Sequence, residues 1–301
     1  MSALTIPDDV ERLLPAAAGR CELLGVRSHD RAGRPCVWEV VDEGGRRLFA
    51  KRHKNALMHE RETAAYRLLA PALGEGRTPS LLAADASSLL VVTSALPGTP
   101  VVSTALSAAE EQEVYRQAGH LLAVIHAQPT VDAPVGEYLL WDQERERALA
   151  RARDACLSDE EVAVLAEAAR AEPPRTALAY CHGDFGPRNW LVRRDGDGDG
   201  DGDGLTLGVI DFERSHVEAP ARRDLMRVTL HLTPRRADLR AAFTTEYGRD
   251  LTPQERAACR AWAAIDCPAA LRWALDHHRD EEVLGYARTV LDLLRDPNPV
   301  V

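Results

Sequence analysis

The sequence predicts an α+β fold in which a small antiparallel sheet comes first and a larger, mostly helical part follows. Short β-like runs with turn residues between them dominate the N-terminal third, whereas helix starts and helical periodicity dominate the rest. A chain of 301 residues is too long for one small core and suits two lobes. We place the lobe boundary at the Leu-Pro-Gly break that begins at Leu96, which gives an N-terminal lobe of residues 1–96 and a C-terminal lobe of residues 97–301.

The N-terminal lobe is predicted to contain strands and one helix. Residues 36–41 and 47–52 are β-like runs, and the DEGG sequence at 42–45 between them is typical of a hairpin turn. A helix is expected over 60–73, where apolar residues recur on one face. Residues 89–93 are nearly all apolar, which is typical of a strand buried on both faces.

Helices are predicted to dominate the C-terminal lobe. A capping box opens a helix at Ser107, and two further helix starts lie at 158–161 and 252–255, the last with proline at the first helical position. Two short strands are expected between these helices, at 189–192 and 205–210.

Five Asp-Gly repeats occupy residues 195–204, between the two predicted strands. The acidic spacing resembles a calcium-binding loop, but no glutamate follows at the twelfth position from any of these aspartates. We therefore expect a solvated hairpin tip that lengthens the connection without altering the strands on either side.

Composition narrows the classes of function. The net charge of −10 argues against a nucleic-acid surface, and no apolar run reaches the ~20 residues of a membrane-spanning helix. The N-terminus lacks the basic and apolar regions of a secretory signal, and no Cys-x-x-Cys pair occurs. We expect a cytoplasmic protein with reduced thiols and without nucleic-acid or membrane partners.

Two linked motifs carry the predicted chemistry. Residues 182–189 read HGDFGPRN and residues 210–213 read IDFE. Phosphoryl transfer needs a carboxylate near the attacking hydroxyl and oxygen ligands for magnesium on the nucleotide phosphates. Asp184, Asn189 and Asp211 supply these groups in the order of the catalytic-loop and metal motifs of kinases.

With these motifs the chain resembles the aminoglycoside phosphotransferase and choline kinase superfamily, from about Gly19 to the C-terminal helices. The resemblance implies a bilobal, protein-kinase-like fold with a nucleotide-binding N-terminal lobe and a C-terminal lobe for catalysis and acceptor binding. It implies Asp184 as the catalytic base and Asn189 and Asp211 as magnesium ligands. It also implies structural roles for Asp224 and His126.

Lys51 lies in a predicted strand, where kinases place the lysine that pairs the α- and β-phosphates. A solvated lysine on an edge strand is the alternative. Glu60 and Glu62 are both candidates for its helix carboxylate, and because they lie on different helix faces only one can point at Lys51. The family resemblance favours Glu62.

The remaining nucleotide contacts are expected around a hinge at 93–98. Backbone groups near Ser94 and Leu96 are predicted to bind adenine, since a hinge that follows a strand leaves N–H and C=O groups unpaired. The chain has no Gly-rich phosphate loop, and residues 28–34 take its place, with Ser28 as a candidate contact.

The acceptor site is expected in the C-terminal helices, which contain several tryptophan, aspartate and histidine residues. Asp266 and Trp273 are seven residues apart and can share a helix face, although core packing also explains the tryptophan. Glu213 replaces the glycine of the kinase D-F-G motif and is a third candidate for acceptor binding.

These predictions combine into an O-phosphotransferase that uses ATP or GTP with Mg²⁺ and acts on a hydroxyl of a small molecule. An antibiotic is the first choice of acceptor, for resistance or self-protection. A metabolic kinase for choline, homoserine, a sugar or a glycated amine is the alternative, and an inactive nucleotide-binding scaffold is a further one. The expected oligomeric state is a monomer or a homodimer.

Overall fold

The structure is a computed structural model that describes residues 6–29, 35–130, 141–155, 157–195, 204–232, 236–276 and 281–296. Its internal contacts divide the chain into two units. Unit 1 comprises Met1–Leu106 and Pro187–His216, and unit 2 comprises Ser107–Gly186 and Val217–Val301. Residues 187–216 thus group with the N-terminal residues, although they follow the boundary predicted at residue 97. The division into two lobes stays a prediction.

The described residues form strands and helices throughout. The strands are β1 (Cys21–His29), β2 (Pro35–Asp42), β3 (Arg47–Arg52), β4 (Leu81–Asp85), β5 (Leu90–Ser94), β6 (Thr99–Pro100), β7 (Ala179–Cys181), β8 (Trp190–Asp195), β9 (Gly204–Val209) and β10 (His216–Glu218). The helices are α1 (Asp8–Ala18), α2 (Ala56–Leu73), α3 (Ala108–His126), α4 (Trp141–Asp154), α5 (Asp159–Ala168), α6 (Asp224–Arg227), α7 (Ala237–Tyr247), α8 (Pro253–Asp276) and α9 (Glu281–Arg295). Single helical turns lie at Val101–Ser103, Pro220–Arg222 and Val228–Leu232.

Unit 1 contains a five-stranded antiparallel sheet in the order β1-β2-β3-β5-β4. The predicted strands at 36–41, 47–52 and 89–93 correspond to β2, β3 and β5, and the predicted α+β class is confirmed. Asp42 closes the turn between β2 and β3, since its Oδ1 accepts hydrogen bonds from the backbone N–H groups of Gly44 and Arg46.

The two faces of this sheet have different environments. One face buries a cluster with α1, made of Val10, Leu14, Trp38, Val40, Leu48, Ala50, Leu90 and Val92. Because successive side chains of a strand point to opposite faces, Phe49 and Lys51 of β3 and Val91 of β5 face the other way and line a cavity. The apolar packing on one face thus leaves the alternate positions available for binding.

A second sheet in unit 1 has the order β6-β8-β9. Its antiparallel hairpin pairs Trp190 with Val209 at the open end and Asp195 with Gly204 at the other. The Asp-Gly repeat connects β8 to β9, and the hairpin tip predicted there lies outside the described residues between 195 and 204. The strands predicted on either side of the repeat are both present.

Unit 2 contains seven of the helices described above, α3 to α9. All three predicted helix starts are present: complete capping boxes are formed by Ser107 and by Ser158, and α8 begins at Pro253. Within the described residues, no helix is both long enough and apolar enough to cross a membrane.

Candidate active site

Lys51 lies at the centre of a cluster of three carboxylates in unit 1. Its Nζ lies 2.5 Å from Asp211 Oδ1, 2.8 Å from Glu62 Oε2 and 3.0 Å from Glu213 Oε2. Burial alone would lower the pKa of Lys51, but the charges of Asp211, Glu62 and Glu213 raise it well above its ordinary value. The lysine is therefore held as a cation among three carboxylates.

Glu62 is the helix carboxylate that reaches Lys51. It lies on α2 and is only 2% exposed, whereas Glu60 is exposed to solvent. Burial opposes ionisation of Glu62, but the charge of Lys51 and a hydrogen bond from His53 lower its pKa to about 2. The choice between Glu60 and Glu62 depends on which face of α2 packs against the sheet, and that face carries Glu62.

The hairpin of β8 and β9 brings Asn189 and Asp211 to one end of the second sheet. Asn189 directly precedes β8, and Ile210 and Asp211 follow β9. The backbone N–H of Ile210 donates to the carbonyl of Asn189 at 3.0 Å. Asp211 has a positive φ of 68°, which is uncommon for a residue other than glycine. Pairing of β8 with β9 thus keeps Asn189 close to Asp211 despite the long Asp-Gly connection between the strands.

These side chains open into a cavity of about 1360 Å³ within unit 1. The predicted residues that line it are Ser28, Lys51, Glu62, Ser94, Leu96, Asn189, Asp211 and Glu213. Residues 30–34, the rest of the segment predicted in place of a Gly-rich loop, lie outside the described residues. The volume lies above the ~300–1,000 Å³ range typical of small-molecule sites.

The predicted hinge has part of its backbone engaged within the fold. The N–H of Ser94 donates to the carbonyl of Ser80, and the N–H of Ala95 donates to the carbonyl of Arg47. No hydrogen bond within the described residues engages the N–H of Leu96. Of the backbone donors at Ser94, Ala95 and Leu96, the Leu96 N–H is therefore the one available to a ligand.

The cavity also contains residues that sequence reasoning missed. Phe49 lies two positions before Lys51 on the same face of β3, and that alternation is the signal that could have identified it. Glu39 on β2 is fully buried and forms ion pairs with Arg27 and Arg47. Burial opposes its ionisation, but the hydrogen bonds from the two arginines lower its pKa.

Asp184 lies in unit 2, where Arg227 of α6 forms an ion pair with it. The Asp184 side chain is 28% exposed, and its backbone N–H donates to His182 Nδ1 at 3.2 Å. Gly183 precedes it with a φ of 77°, a conformation that glycine adopts without strain. Arg227 was not identified from the sequence, and its contact with Asp184 depends on the folded path of α6.

Asp224 holds the backbone that carries Asp184. Its carboxylate accepts the N–H groups of His182 at 2.8 Å and Gly183 at 2.9 Å, and it contacts His126 Nε2 at 3.2 Å. Burial opposes its ionisation, but the hydrogen bond from His126, together with the positive field of His126 and His182, lowers its pKa. These contacts agree with the structural roles expected of Asp224 and His126.

The candidate acceptor residues are found in two different places. Asp266 and Trp273 lie on α8 in unit 2, and Asp266 Oδ2 accepts the hydroxyl of Tyr286 at 2.9 Å. Glu213 instead contacts Lys51 in unit 1, so its immediate neighbours belong to the cavity rather than to the C-terminal helices. The nearby histidines at 277 and 278 lie outside the described residues.

The side chains in the cavity fit a magnesium ion with a nucleotide. Asn189 offers an amide oxygen and Asp211 offers a carboxylate, which are the hard oxygen donors that Mg²⁺ prefers. His53, Glu62 and Glu213 are also close enough to share a metal ion, and Lys51 contacts Glu62 and Glu213 as it contacts Asp211. The arrangement suits a metal at Asn189 and Asp211 and a cationic side chain beside it.

Comparison with known proteins places the chain among phosphotransferases. A family model described as the phosphotransferase enzyme family matches residues 31–262. A type VIII aminoglycoside-3'-phosphotransferase structure is 26% identical, with a TM-score of 0.57 over 86% of this chain and all of that chain. The gentamicin complex of APH(2")-IIa is 15% identical, with a TM-score of 0.61 over 96% and 97% of the two chains.

A third similar structure is the macrolide 2'-phosphotransferase MphH from Brachybacterium faecium. It is 19% identical, with a TM-score of 0.55 over 94% of this chain and 97% of that chain. No match was found among the curated proteins. The identities below a quarter show a shared fold alone.

Proposed function

The chain belongs to the phosphotransferase enzyme family, and on that premise we propose that it transfers the γ-phosphoryl group of ATP to a hydroxyl of a small-molecule antibiotic. The prediction of a phosphotransferase is confirmed by the family match and by the similarity to an aminoglycoside-3'-phosphotransferase structure at 26% identity. The donor nucleotide, the metal and the acceptor are the parts that we propose.

The contact between Lys51, Glu62 and Asp211 is the observation that carries the proposal. A strand lysine, a helix glutamate and the aspartate of the second motif meet at 2.5–2.8 Å beside the cavity. Kinases use this combination to hold the α- and β-phosphates beside a metal ion. A purely structural ion pair would not account for three carboxylates around one lysine in an open cavity.

We assign the nucleotide to the cavity of unit 1. The Leu96 N–H donates to the base, Phe49 packs against it, and Lys51 binds the α- and β-phosphates, with Ser28 a further candidate contact. Asn189 and Asp211 hold Mg²⁺ through their side-chain oxygens. When bound, the metal neutralises negative charge on the phosphate oxygens.

We assign the role of base to Asp184. The acceptor hydroxyl oxygen attacks the γ-phosphorus while the bond to the β–γ bridging oxygen breaks, and ADP leaves with that electron pair. Asp184 accepts the proton that the hydroxyl loses. Arg227 pairs with the Asp184 carboxylate and orients it, and Asp224 fixes the backbone by accepting the N–H groups of His182 and Gly183.

The proposed acceptor class is supported by the solved structures that resemble this chain. Their names include an aminoglycoside-3'-phosphotransferase at 26% identity and a macrolide 2'-phosphotransferase. We assign acceptor binding to unit 2, with Asp266 and Trp273 of α8 as candidates. Glu213 is assigned to the nucleotide cavity because it contacts Lys51.

The test is transfer of labelled γ-phosphate to a panel of aminoglycosides, macrolides, and nucleoside and peptide antibiotics. We expect ADP release together with an acceptor whose mass has increased by one phosphoryl group. Asp184→Asn should lower kcat by about a thousandfold or more and leave ATP affinity unchanged, because the amide cannot accept the proton. Asp159→Asn, an exposed aspartate at the start of α5, is the matched control.

Two alternatives give different results in the same assay. A metabolic kinase would phosphorylate choline, homoserine, a sugar or a glycated amine and none of the antibiotics. An inactive scaffold would bind ATP and yield no phosphorylated product from any acceptor. Near-normal turnover by the Asp184→Asn enzyme would contradict the assignment of the base.

A further inference from the structure

We propose that His53 is a positioning residue that shares the Glu62 carboxylate with Lys51 and so keeps Lys51 available to the nucleotide phosphates. The inference rests on the proposed function, because it concerns how the cavity binds ATP. His53 lies two residues after Lys51, at the end of β3, and its side chain is fully buried. The sequence motifs assign no role to it.

Three hydrogen bonds define the position of His53. Its Nε2 lies 2.5 Å from Glu62 Oε2, and its Nδ1 lies 3.3 Å from the carbonyl oxygen of Leu89. Its backbone N–H donates to the same carbonyl at 2.9 Å. Leu89 has a φ of 57°, so the turn before β5 adopts a left-handed conformation at the residue that presents this oxygen.

The partners determine what the imidazole ring does. The ionised carboxylate of Glu62 can only accept, so its hydrogen bond with His53 requires the ring to donate from Nε2. The groups around this network include His59, whose ring meets that of His53 at 5.6 Å, and Tyr66, whose hydroxyl donates to Glu62 Oε1 at 3.1 Å. The Glu213 carboxylate also lies within 4.8 Å of the His53 ring nitrogen and the Glu62 oxygen. His53 therefore connects the Glu62 carboxylate to the sheet backbone.

One oxygen of Glu62 is shared between His53 and Lys51. Oε2 accepts from His53 at 2.5 Å and from Lys51 at 2.8 Å. A buried carboxylate that loses one donor binds its remaining cation more strongly, because little water is present to replace the lost bond. Loss of the His53 donor thus draws Lys51 towards Glu62 and weakens its interaction with phosphate.

The experiment compares two substitutions that each keep one of the two ring bonds. The Nε2 of glutamine lies at the same chain distance as histidine Nε2 and can still donate to Glu62. The Nδ2 of asparagine corresponds to Nδ1 and can donate only to the Leu89 carbonyl. His53→Asn therefore removes the contact with Glu62, and His53→Gln removes the side-chain contact with the Leu89 carbonyl. His59→Asn is the control, since His59 bonds the Leu90 carbonyl at 3.1 Å.

The measurement is the Kd of each purified variant for ATP with Mg²⁺ and for adenosine, by calorimetry, together with the free energy of unfolding. We expect His53→Asn to weaken ATP by about tenfold and adenosine hardly at all, because Lys51 contacts only phosphates. We expect His53→Gln and His59→Asn to bind ATP within about twofold of the wild-type protein.

Each other outcome has a defined meaning. Equal ATP affinity in His53→Asn and the wild-type protein, or equal losses for ATP and adenosine, contradicts the positioning role. A wild-type protein that binds neither ATP nor GTP contradicts the proposed function instead. If His53→Asn does not fold, the side-chain ¹⁵N spectrum of wild-type His53 decides: a protonated Nε2 supports the inference, and a bare Nε2 overturns it.

Discussion

The cavity in unit 1 and the Asp184 loop in unit 2 have opposite electrostatic arrangements. In unit 1 the Lys51 cation lies among the carboxylates of Glu62, Asp211 and Glu213. In unit 2 the Asp184 carboxylate is bound by the Arg227 guanidinium. Carboxylates in excess can bind further cations, whereas the cation beside Asp184 orients a single carboxylate that can accept a proton from a hydroxyl. The difference matches a metal–nucleotide site and a base.

The two regions also differ in how they are held. Glu62 is buried by side chains and receives its hydrogen bonds from other side chains, those of Lys51, His53 and Tyr66. The Asp184 loop is held through its backbone, which donates to the buried carboxylate of Asp224. Substitutions around Glu62 should therefore alter the affinity for nucleotide in unit 1. Substitutions that disturb the backbone held by Asp224 should alter the position of the Asp184 carboxylate in unit 2.

Removing one carboxylate from the unit 1 cluster should have the largest effect on this comparison. Asp211→Asn lowers the negative charge that favours the metal, so we expect kcat to fall by about a thousandfold and the Mg²⁺ concentration for half-activity to rise. A magnesium titration of the phosphotransfer rate measures both quantities. Asp8→Asn, an exposed aspartate at the start of α1, is the control, and an unchanged magnesium dependence would refute the assignment.

Removing the cation from the unit 2 pair should have a smaller effect of the other kind. Arg227→Ala takes away the ion-pair partner that orients the Asp184 carboxylate, and we expect kcat to fall by about tenfold while the Kd for ATP stays constant. Arg227→Lys should recover part of the rate, and Arg272→Ala on α8 should change nothing. A changed ATP affinity with normal kcat would place Arg227 on the nucleotide side instead.

Substitution of two glycines, one in each unit, tests how close packing affects stability and ATP affinity. A Cβ at Gly119 on α3 would clash with the backbone carbonyl of Phe243 on α7, so Gly119→Ala should destabilise the protein by about 1–3 kcal/mol without changing ATP affinity. A Cβ at Gly208 would lie 2.5 Å from Leu96 Cδ2, and Gly208→Ala should shift that hinge side chain and weaken ATP about twofold.

Thermal unfolding and ATP titration of both variants measure these effects. The comparison fails if Gly119→Ala weakens ATP as much as Gly208→Ala does.

Acid should weaken both regions, with little effect at neutral pH. The folded-state pKa of Glu62 is about 2, below the unfolded value of about 4.3, so its contribution to stability is present above that value and is lost as pH falls towards 2. The pKa of Asp224 is also lowered, so its contribution has the same sign. Glu62→Gln should flatten the fall in unfolding free energy between about pH 4 and pH 2 in urea titrations. An unchanged slope would contradict the lowered pKa of Glu62.

Local sequence signals predicted much of the fold, but they did not predict α1 and β1. The capping boxes at Ser107 and Ser158 and the DEGG turn act over a few residues, so the sequence alone identifies them. Helix α1 was missed because it carries Pro15 in its interior, and its apolar residues become significant only against the sheet. Strand β1 was missed because all nine of its residues are at least partly exposed and their alternation stops after the first five.

The sequence by itself determined the reaction class, because Asp184, Asn189 and Asp211 lie in two short motifs whose residue types and spacing are set by the chemistry of phosphoryl transfer. Only the tertiary structure decided which groups meet those residues. Lys51 reaches Asp211 across 160 positions of sequence, and α2 packs so that Glu62 rather than Glu60 faces it. Strand alternation and helix packing also set the surroundings of His53, Phe49 and Arg227. These surroundings depend on contacts between segments far apart in the chain, so a short stretch of sequence does not reveal them.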